Sequence, residues 1–321
     1  MKKLFTLLAF TVSFIMNSQV STHSTSNGGL RSSAIGAWSN AAADYSFASG
    51  RSTTASGYGS TVFGRNSTSS GDYSTAMGYN TNASGVYSTA MGYQSTASGN
   101  FSTAMGESTT ASGTCSFAGG LQTVASGGGS FAFHSGTTAS GTNSTALGRV
   151  TVASDYASVV IGQYNSSGSS ATSADSFSTS APAFVIGNGT DSSNKSDAFK
   201  VMFNGDTTVS NDLTVSGDVV ISSDARLKSN IVSLGSTLSK LLQIDGKSYE
   251  MKGKQKIGVL AQDIQEVFPE LVSEDDNEML AVNYQGLVPV LINALKEQDK
   301  IIKRQEERLA NIENLIANLN D

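Results

Sequence analysis

Cysteine is nearly missing: Cys115 is the only one in 321 residues, so no intrachain disulfide can form. Histidine occurs only at His23 and His134, both far upstream of Ser223, which excludes a Ser-His-Asp triad there on inventory. Charged residues make up just 14% of the chain, the net charge is −6, and no basic cluster offers a footprint for nucleic acid. None of the three prolines falls between residues 31 and 165, which leaves that stretch free for uninterrupted strand ladders. The apolar stretch Leu4 to Met16 is shorter than the roughly 20 residues that cross a bilayer as a helix. It follows Lys2 and Lys3 and precedes the small residue Ser18, so residues 1–18 read as a secretory signal and 19–30 as a leader. The expected mature chain has no membrane span and is secreted or held at the cell surface.

What is abundant is glycine, placed with a fixed rhythm. Gly36, Gly50, Gly64, Gly78, Gly92, Gly106, Gly120, Gly148 and Gly162 are spaced by 14 residues or a multiple of 14. A second register, offset by seven, runs from Gly57 to Gly141, and serine recurs without a gap from Ser32 to Ser158. An insertion-free period over residues 31–165 means that each unit is one turn of a stacked array. Units such as Tyr73-Ser-Thr-Ala-Met-Gly78 offer a strand ended by glycine, and Thr96-Ala97-Ser98-Gly99 a second, shorter one. The expectation is a mainly β protein whose head is a β-solenoid, with glycines allowing φ > 0 at the corners.

The column Ala34, Ala48, Val62, Ala76, continuing to Val160, suits the narrow interior of a 14-residue coil. Beside it Ile35, Phe63, Met77, Met91, Met105, Phe133, Leu147 and Ile161 point away and form an apolar stripe on a single chain, the mark of an interface. Self-association about an axis along the shaft would bury it. Cys115 takes the position held elsewhere by Tyr45, Tyr73, Tyr87 and Phe101, and is expected as a buried stand-in for an aromatic rather than a reactive thiol. His134 and Asp155 replace corner glycines; drift of one repeat explains them more simply than a ligand site.

Charge changes the picture downstream. Residues 31–165 hold four Arg and four acids, whereas 223–321 hold 12 basic and 16 acidic residues, so two architectures are expected. Residues 166–181, rich in Ser, Thr and Ala, read as a flexible joint. Residues 182–222 read as a β-rich neck, with strands at Phe184–Gly187, Ala198–Phe203, Thr207–Val209, Leu213–Val215 and Asp218–Ile221. Residues 223–286 read as a small α+β domain with a buried strand at Ile257–Leu260 and a helix from Gln262 to Val267 that ends before Pro269. The acidic run Glu274–Glu278 reads as a solvated loop whose spacing is too loose for calcium, and neither metal nor cofactor is expected. Residues 287–321 carry heptads with Val288, Leu295, Ile302, Leu309 and Ile316 at a and Leu291, Gln298, Gln305, Ile312 and Leu319 at d, the pattern of a coiled coil.

The sharpest chemical motif is Ser223-Asp224-Ala225-Arg226-Leu227-Lys228, followed by Ser229-Asn230-Ile231. A lysine kept neutral by burial can take the proton of a serine hydroxyl, giving a Ser–Lys dyad, while a surface turn is the plain structural alternative.

The head pattern S-x-A-φ-G…A-x-G, with φ apolar, resembles the heads of trimeric autotransporter adhesins of the YadA type, which implies a trimer of left-handed β-rolls. Nothing here resembles that family's C-terminal membrane-anchoring barrel, so autotransport is not expected. The S-D-x-R-L-K-x-N-I motif, with Ile257–Val272 and Leu280–Leu287 after it, resembles the C-terminal intramolecular chaperone of endosialidases and other phage tail spikes. That resemblance implies trimerisation, assisted folding and self-cleavage between Ser222 and Ser223, with Ser223 as nucleophile and Lys228 as general base. Asp224 and Arg226 match the motif as supporting or merely structural residues. Both resemblances point to three strands for the terminal coiled coil.

The expected protein is an exported, homotrimeric, adhesin-like fibre whose head meets a host matrix protein or a glycan. It is a peptidase only toward itself, with no external substrate. The alternative is a non-adhesive or phage-derived fibre that keeps an uncleaved trimerisation foot. A polysaccharide-degrading enzyme is disfavoured, because paired carboxylates are missing from the head.

Overall fold

The computed structural model describes residues 25–274 and 278–320, so the expected secretory signal, His23 and the centre of the acidic run lie outside the described residues. The chain divides into two compact units, one ending at Gly217 and one starting at Asp218.

In the first unit every 14-residue repeat makes one coil with a five-residue and a two-residue strand, for example Thr75–Tyr79 and Asn82–Ala83. Each strand pairs in parallel with the residue 14 positions on: Ala76 with Ala90, Ala90 with Ala104, Ala83 with Ala97. Stacking yields a sheet of ten short strands and a sheet of 13 strands, the latter extended by residues after the repeats. The ten coils rise about 4.8 Å each. The expected alanine column is wholly buried from Ala48 to Val160, and a second one, from Ala41 to Ala153, faces it from the short strands. Buried Ser and Thr close the two ends of this slot; the Ser74 and Ser102 hydroxyls donate to the Gly71 and Gly99 carbonyls at 2.6 Å.

Both glycine registers let the coils approach closely, a methyl at Gly78 or Gly85 falling 2.0 Å from the next coil's carbonyl oxygen, but only one allows positive φ, which corrects the expectation that both do. The first does, with φ of 131° at Gly78; the second does not. A left-handed residue falls two positions after each register: Tyr45, Tyr73, Tyr87, Phe101 and Cys115 after the second, with φ between 55° and 59°, and Ser52, Asn66, Asn80 and Gln94 after the first, with φ between 53° and 56°. A corner throws its side chain outward, so Cys115 is exposed rather than buried, as are Tyr73, Tyr87 and Phe101. The Met/Phe stripe is on the surface as expected, with Phe63, Met77, Met105 and Phe133 exposed.

The repeat ends by design rather than by drift. Pro182–Asn188 pairs in parallel with Val159–Gln163, Val159 facing Phe184, at a spacing of 25 where earlier coils have 14. The surplus residues, expected as a flexible joint, lie over the last coil: Ser154 N–H donates to Gly168 O, Tyr156 N–H to Ser173 O and Thr142 N–H to Ala174 O. Asp155 binds this cap, its buried carboxylate accepting from the Thr172 and Ser173 N–H groups at 2.6 and 2.7 Å. An aspartate replaces glycine here because the next coil is displaced and its place is taken by N–H donors that need an acceptor. Asp197–Met202 and Thr207–Val209 then add antiparallel strands. The strands expected at Leu213–Val215 and Asp218–Ile221 do not form; one chain offers them no edge to pair with, and Leu213, Val219 and Val220 are left exposed.

The second unit is α+β. Hairpins Lys247–Met251/Lys254–Gly258 and Val272–Glu274/Leu280–Val282 accompany helices Leu238–Leu241 and Ala261–Val267. Its small core joins Ile264, Phe268 and Val290 to Val259, Leu271 and Val282. Ile257, expected in a buried strand, is 86% exposed, because only alternate residues of a two-stranded ribbon face the core. A 34-residue helix, Leu287–Asn320, completes the unit. Pro289 sits in its first turn, where a missing N–H costs nothing. Beyond Ala294 its apolar heptad positions, Leu295, Ile302, Leu309 and Ile316, are exposed.

Candidate self-cleavage site

The candidate site lies at the start of the second unit and is built by one short turn. Asp224 caps a single turn of 3-10 helix, Ala225–Leu227, its carboxylate accepting the Arg226 N–H at 2.8 Å. The Leu227 and Lys228 N–H groups donate back to the Asp224 and Ala225 carbonyls. The turn reverses the chain, and Lys228 Nζ comes to rest 2.7 Å from Ser223 Oγ. The two residues of the expected dyad are thus in hydrogen-bond contact, five positions apart.

Asp224 and Arg226 do not touch either of them. They pair with each other, Arg226 Nη2 reaching Asp224 Oδ2 at 2.7 Å and Nε lying 3.1 Å from both oxygens. The Arg226 guanidinium, with the Arg226 N–H behind it, holds the Asp224 carboxyl below the usual carboxylate range; the same pairing raises Arg226. Their geometric role is to lock the turn that carries Lys228. Ser222, Ser223 and Lys228 are all exposed in a single chain, so the expected burial of the lysine is not supplied from within it. A lysine accepts a proton only as the neutral amine, and desolvation favours that form.

Sequence reasoning missed a second polar junction. Glu297, on the long helix, accepts from the Ser236 hydroxyl at 2.6 Å and from the Thr237 and Leu238 N–H groups, capping the short Leu238–Leu241 helix. The Ser236 hydroxyl, then the Thr237 N–H, hold its carboxyl below the usual range. Its heptad position outside a and d was the only signal, and sixty residues separate it from its partners. Among the described residues no group of three His, Cys, Asp or Glu is placed to hold a metal ion, and no helix is long and apolar enough to cross a membrane.

A stack of identical coils, followed in the chain by a separate α+β unit that opens on a Ser–Lys pair, is the architecture of a repeat fibre with a chaperone module. The family comparisons agree in both halves. The YadA head domain repeat matches at residues 28–53, 55–81, 83–106, 97–120 and 139–165, and the chaperone of endosialidase matches at residues 223–273. The chain therefore carries YadA head repeats joined to an endosialidase-type chaperone domain, the chaperone match beginning on Ser223 itself. No curated protein matches the chain.

Proposed function

We propose that this chain is an exported, homotrimeric, adhesin-like fibre whose C-terminal domain trimerises it, guides its folding and then cuts itself away between Ser222 and Ser223. The observation that carries the cleavage is the 2.7 Å contact of Lys228 Nζ with Ser223 Oγ at the first residue of the chaperone match. Trimerisation is supported by the apolar faces that one chain leaves uncovered, the Met/Phe stripe of the head and the heptad face of the long helix. Packing of partner copies around the dyad supplies the desolvation that a single chain lacks.

In the proposed chemistry neutral Lys228 takes the Ser223 Oγ proton while Oγ attacks the Ser222 carbonyl carbon. The C–N bond breaks, the proton passes to the departing nitrogen, and Ser223 becomes a free N-terminus esterified through its own Oγ. Water then hydrolyses the ester, releasing the Ser222 carboxylate and restoring the hydroxyl. Asp224 and Arg226 act as positioning residues through the turn.

Identical repeats invite register slips, and a C-terminal seed that brings three strands together limits them. Removing the seed after assembly leaves a fibre whose unfolding is hard to reverse. Expression of the full chain beside Ser223→Ala and Lys228→Ala, read by intact mass and native size, tests the proposal. A trimeric wild type split at Ser222–Ser223, with both variants uncut, is expected. An uncut wild-type trimer would make the domain a permanent foot, and an uncut monomer would end the fibre reading.

A further inference from the structure

One strip of the head surface carries positive charge with nothing to balance it. Arg51 and Arg65 are register partners in adjacent coils, so both side chains leave the same column of the long-strand sheet. Arg51 lies over the Trp38 ring at 5.2 Å and Arg65 over the Tyr79 ring at 5.4 Å. Tyr79 and Tyr93 prolong the column, their rings stacked at 5.4 Å and nearly parallel. All five side chains are exposed. Among the described residues no carboxylate pairs with either arginine. Glu107, the acid of the same column, stands three coils beyond Arg65, about 14 Å away at 4.8 Å per coil and outside a Debye length of ~8 Å. Asp44 and Asp72 belong to the opposite corner, where they accept the Leu30 and Tyr58 N–H groups.

The two guanidinium groups are turned apart, toward Trp38 and Tyr79, so a chain carrying several anionic groups along the column meets both. The guanidinium fork matches the paired oxygens of sulfate and carboxylate. The Trp38 and Tyr79 rings back the two guanidinium groups and Tyr93 stacks on Tyr79, so the rings order the arginines and leave indole and phenol edges, with their N–H and O–H groups, toward a bound chain. The strip is straight and offers one group per rung, so it suits an extended polymer better than a compact ligand.

We infer that the strip of Trp38, Arg51, Arg65, Tyr79 and Tyr93 binds an acidic polysaccharide, its sulfate or carboxylate groups held by the arginines and its hydroxyls meeting the indole and phenol edges. This rests on the reading of the head as a displayed binding surface, and it names the ligand class. The experiment is retention of the full chain on immobilised heparin, with a polyuronate and neutral dextran alongside, across a salt gradient. Wild type is expected to bind the acidic polymers and to ignore dextran. Arg51→Ala/Arg65→Ala is expected to bind about tenfold more weakly, with a shallower salt dependence. Tyr79→Ala/Tyr93→Ala weakens binding while keeping the salt dependence, and Arg51→Lys/Arg65→Lys retains part of it, which separates lost contacts from lost folding. Equal retention of wild type and the double alanine variant, or retention of wild type only on anionic phospholipid vesicles, overturns the inference. Native mass on the same samples keeps the two readings apart. A monomer that binds through Arg51 and Arg65 defeats the trimer and supports the strip; a trimer indifferent to heparin does the reverse.

Discussion

His134 shows what one residue costs in a repeat that otherwise repeats faithfully. It holds φ of 98° at the position where nine other coils have glycine with φ of 93° to 133°. L side chains rarely adopt that conformation, and holding one there costs on the order of 1–3 kcal/mol. Against this the imidazole gains an edge contact with Phe133 at 4.7 Å. His134→Gly is therefore expected to stabilise the head by about 1 kcal/mol, the strain relieved less the ring contact and the added chain entropy. Denaturant unfolding of the two proteins checks it, and a destabilised variant would mean that the imidazole has a partner worth more than the strain. The position was legible in the sequence, since the gap in the glycine column is visible by counting. Its meaning was not, because two glycine registers that look alike in the sequence differ in the structure: both keep a methyl out of the path of the next coil, and only the first also supplies positive φ. The same ambiguity hid the left-handed residues two positions after each register, one column of which falls on the aromatics Tyr45, Tyr73, Tyr87 and Phe101 that no propensity would place there.

Among the elements, those defined by local period were readable and those defined by distant partners were not. The solenoid coils, the Ala261–Val267 helix and the long helix follow from the repeat, the stop before Pro269 and the heptads. The cap over the last coil reads as a joint in the sequence because its Ser- and Thr-rich composition matches a linker; only Asp155, meeting backbone N–H groups 17 and 18 residues ahead, reveals its role. The Glu297 junction is hidden in the same way and yields a prediction. Its carboxyl is held below the usual range in the folded unit, so the stability it contributes is fully present above the unfolded carboxylate pKa. That stability is lost as pH falls through the lowered folded value. Glu297→Gln should melt below wild type at neutral pH, and the difference should shrink to nothing as the solution is acidified past that point. Thermal melts across an acid pH series decide it; a gap that stays constant with pH would show that packing of the side chain, not its charge, supports the short helix.

For the whole molecule, the apolar surfaces that one chain leaves exposed among the described residues include the Met/Phe stripe and the Tyr/Phe corner column of the head, the segment around Val219, Val220 and Ile221, and the heptad face of the long helix. No single chain covers them, so assembly rather than the fold of one copy decides which of them matters most. If the C-terminal domain seeds the trimer, the helix face must act before the head stripe. Leu295→Asp/Ile302→Asp should then leave the chain monomeric and uncut, since a charge at adjacent a layers breaks the seed on which a covered Ser223–Lys228 pair depends. Met77→Ser/Met91→Ser/Met105→Ser should behave oppositely. It should still trimerise and still cleave, but each lost methionine should cost the assembled head roughly 1 kcal/mol per protomer, less than the 1.5–3 kcal/mol of complete burial because the stripe is already half-covered in one chain. Native mass, intact mass and the melting temperature of the released head separate these outcomes. A head variant that fails to cleave while the helix variant still does would reverse the order, making the solenoid itself the nucleus of assembly and the terminal helix a later clasp.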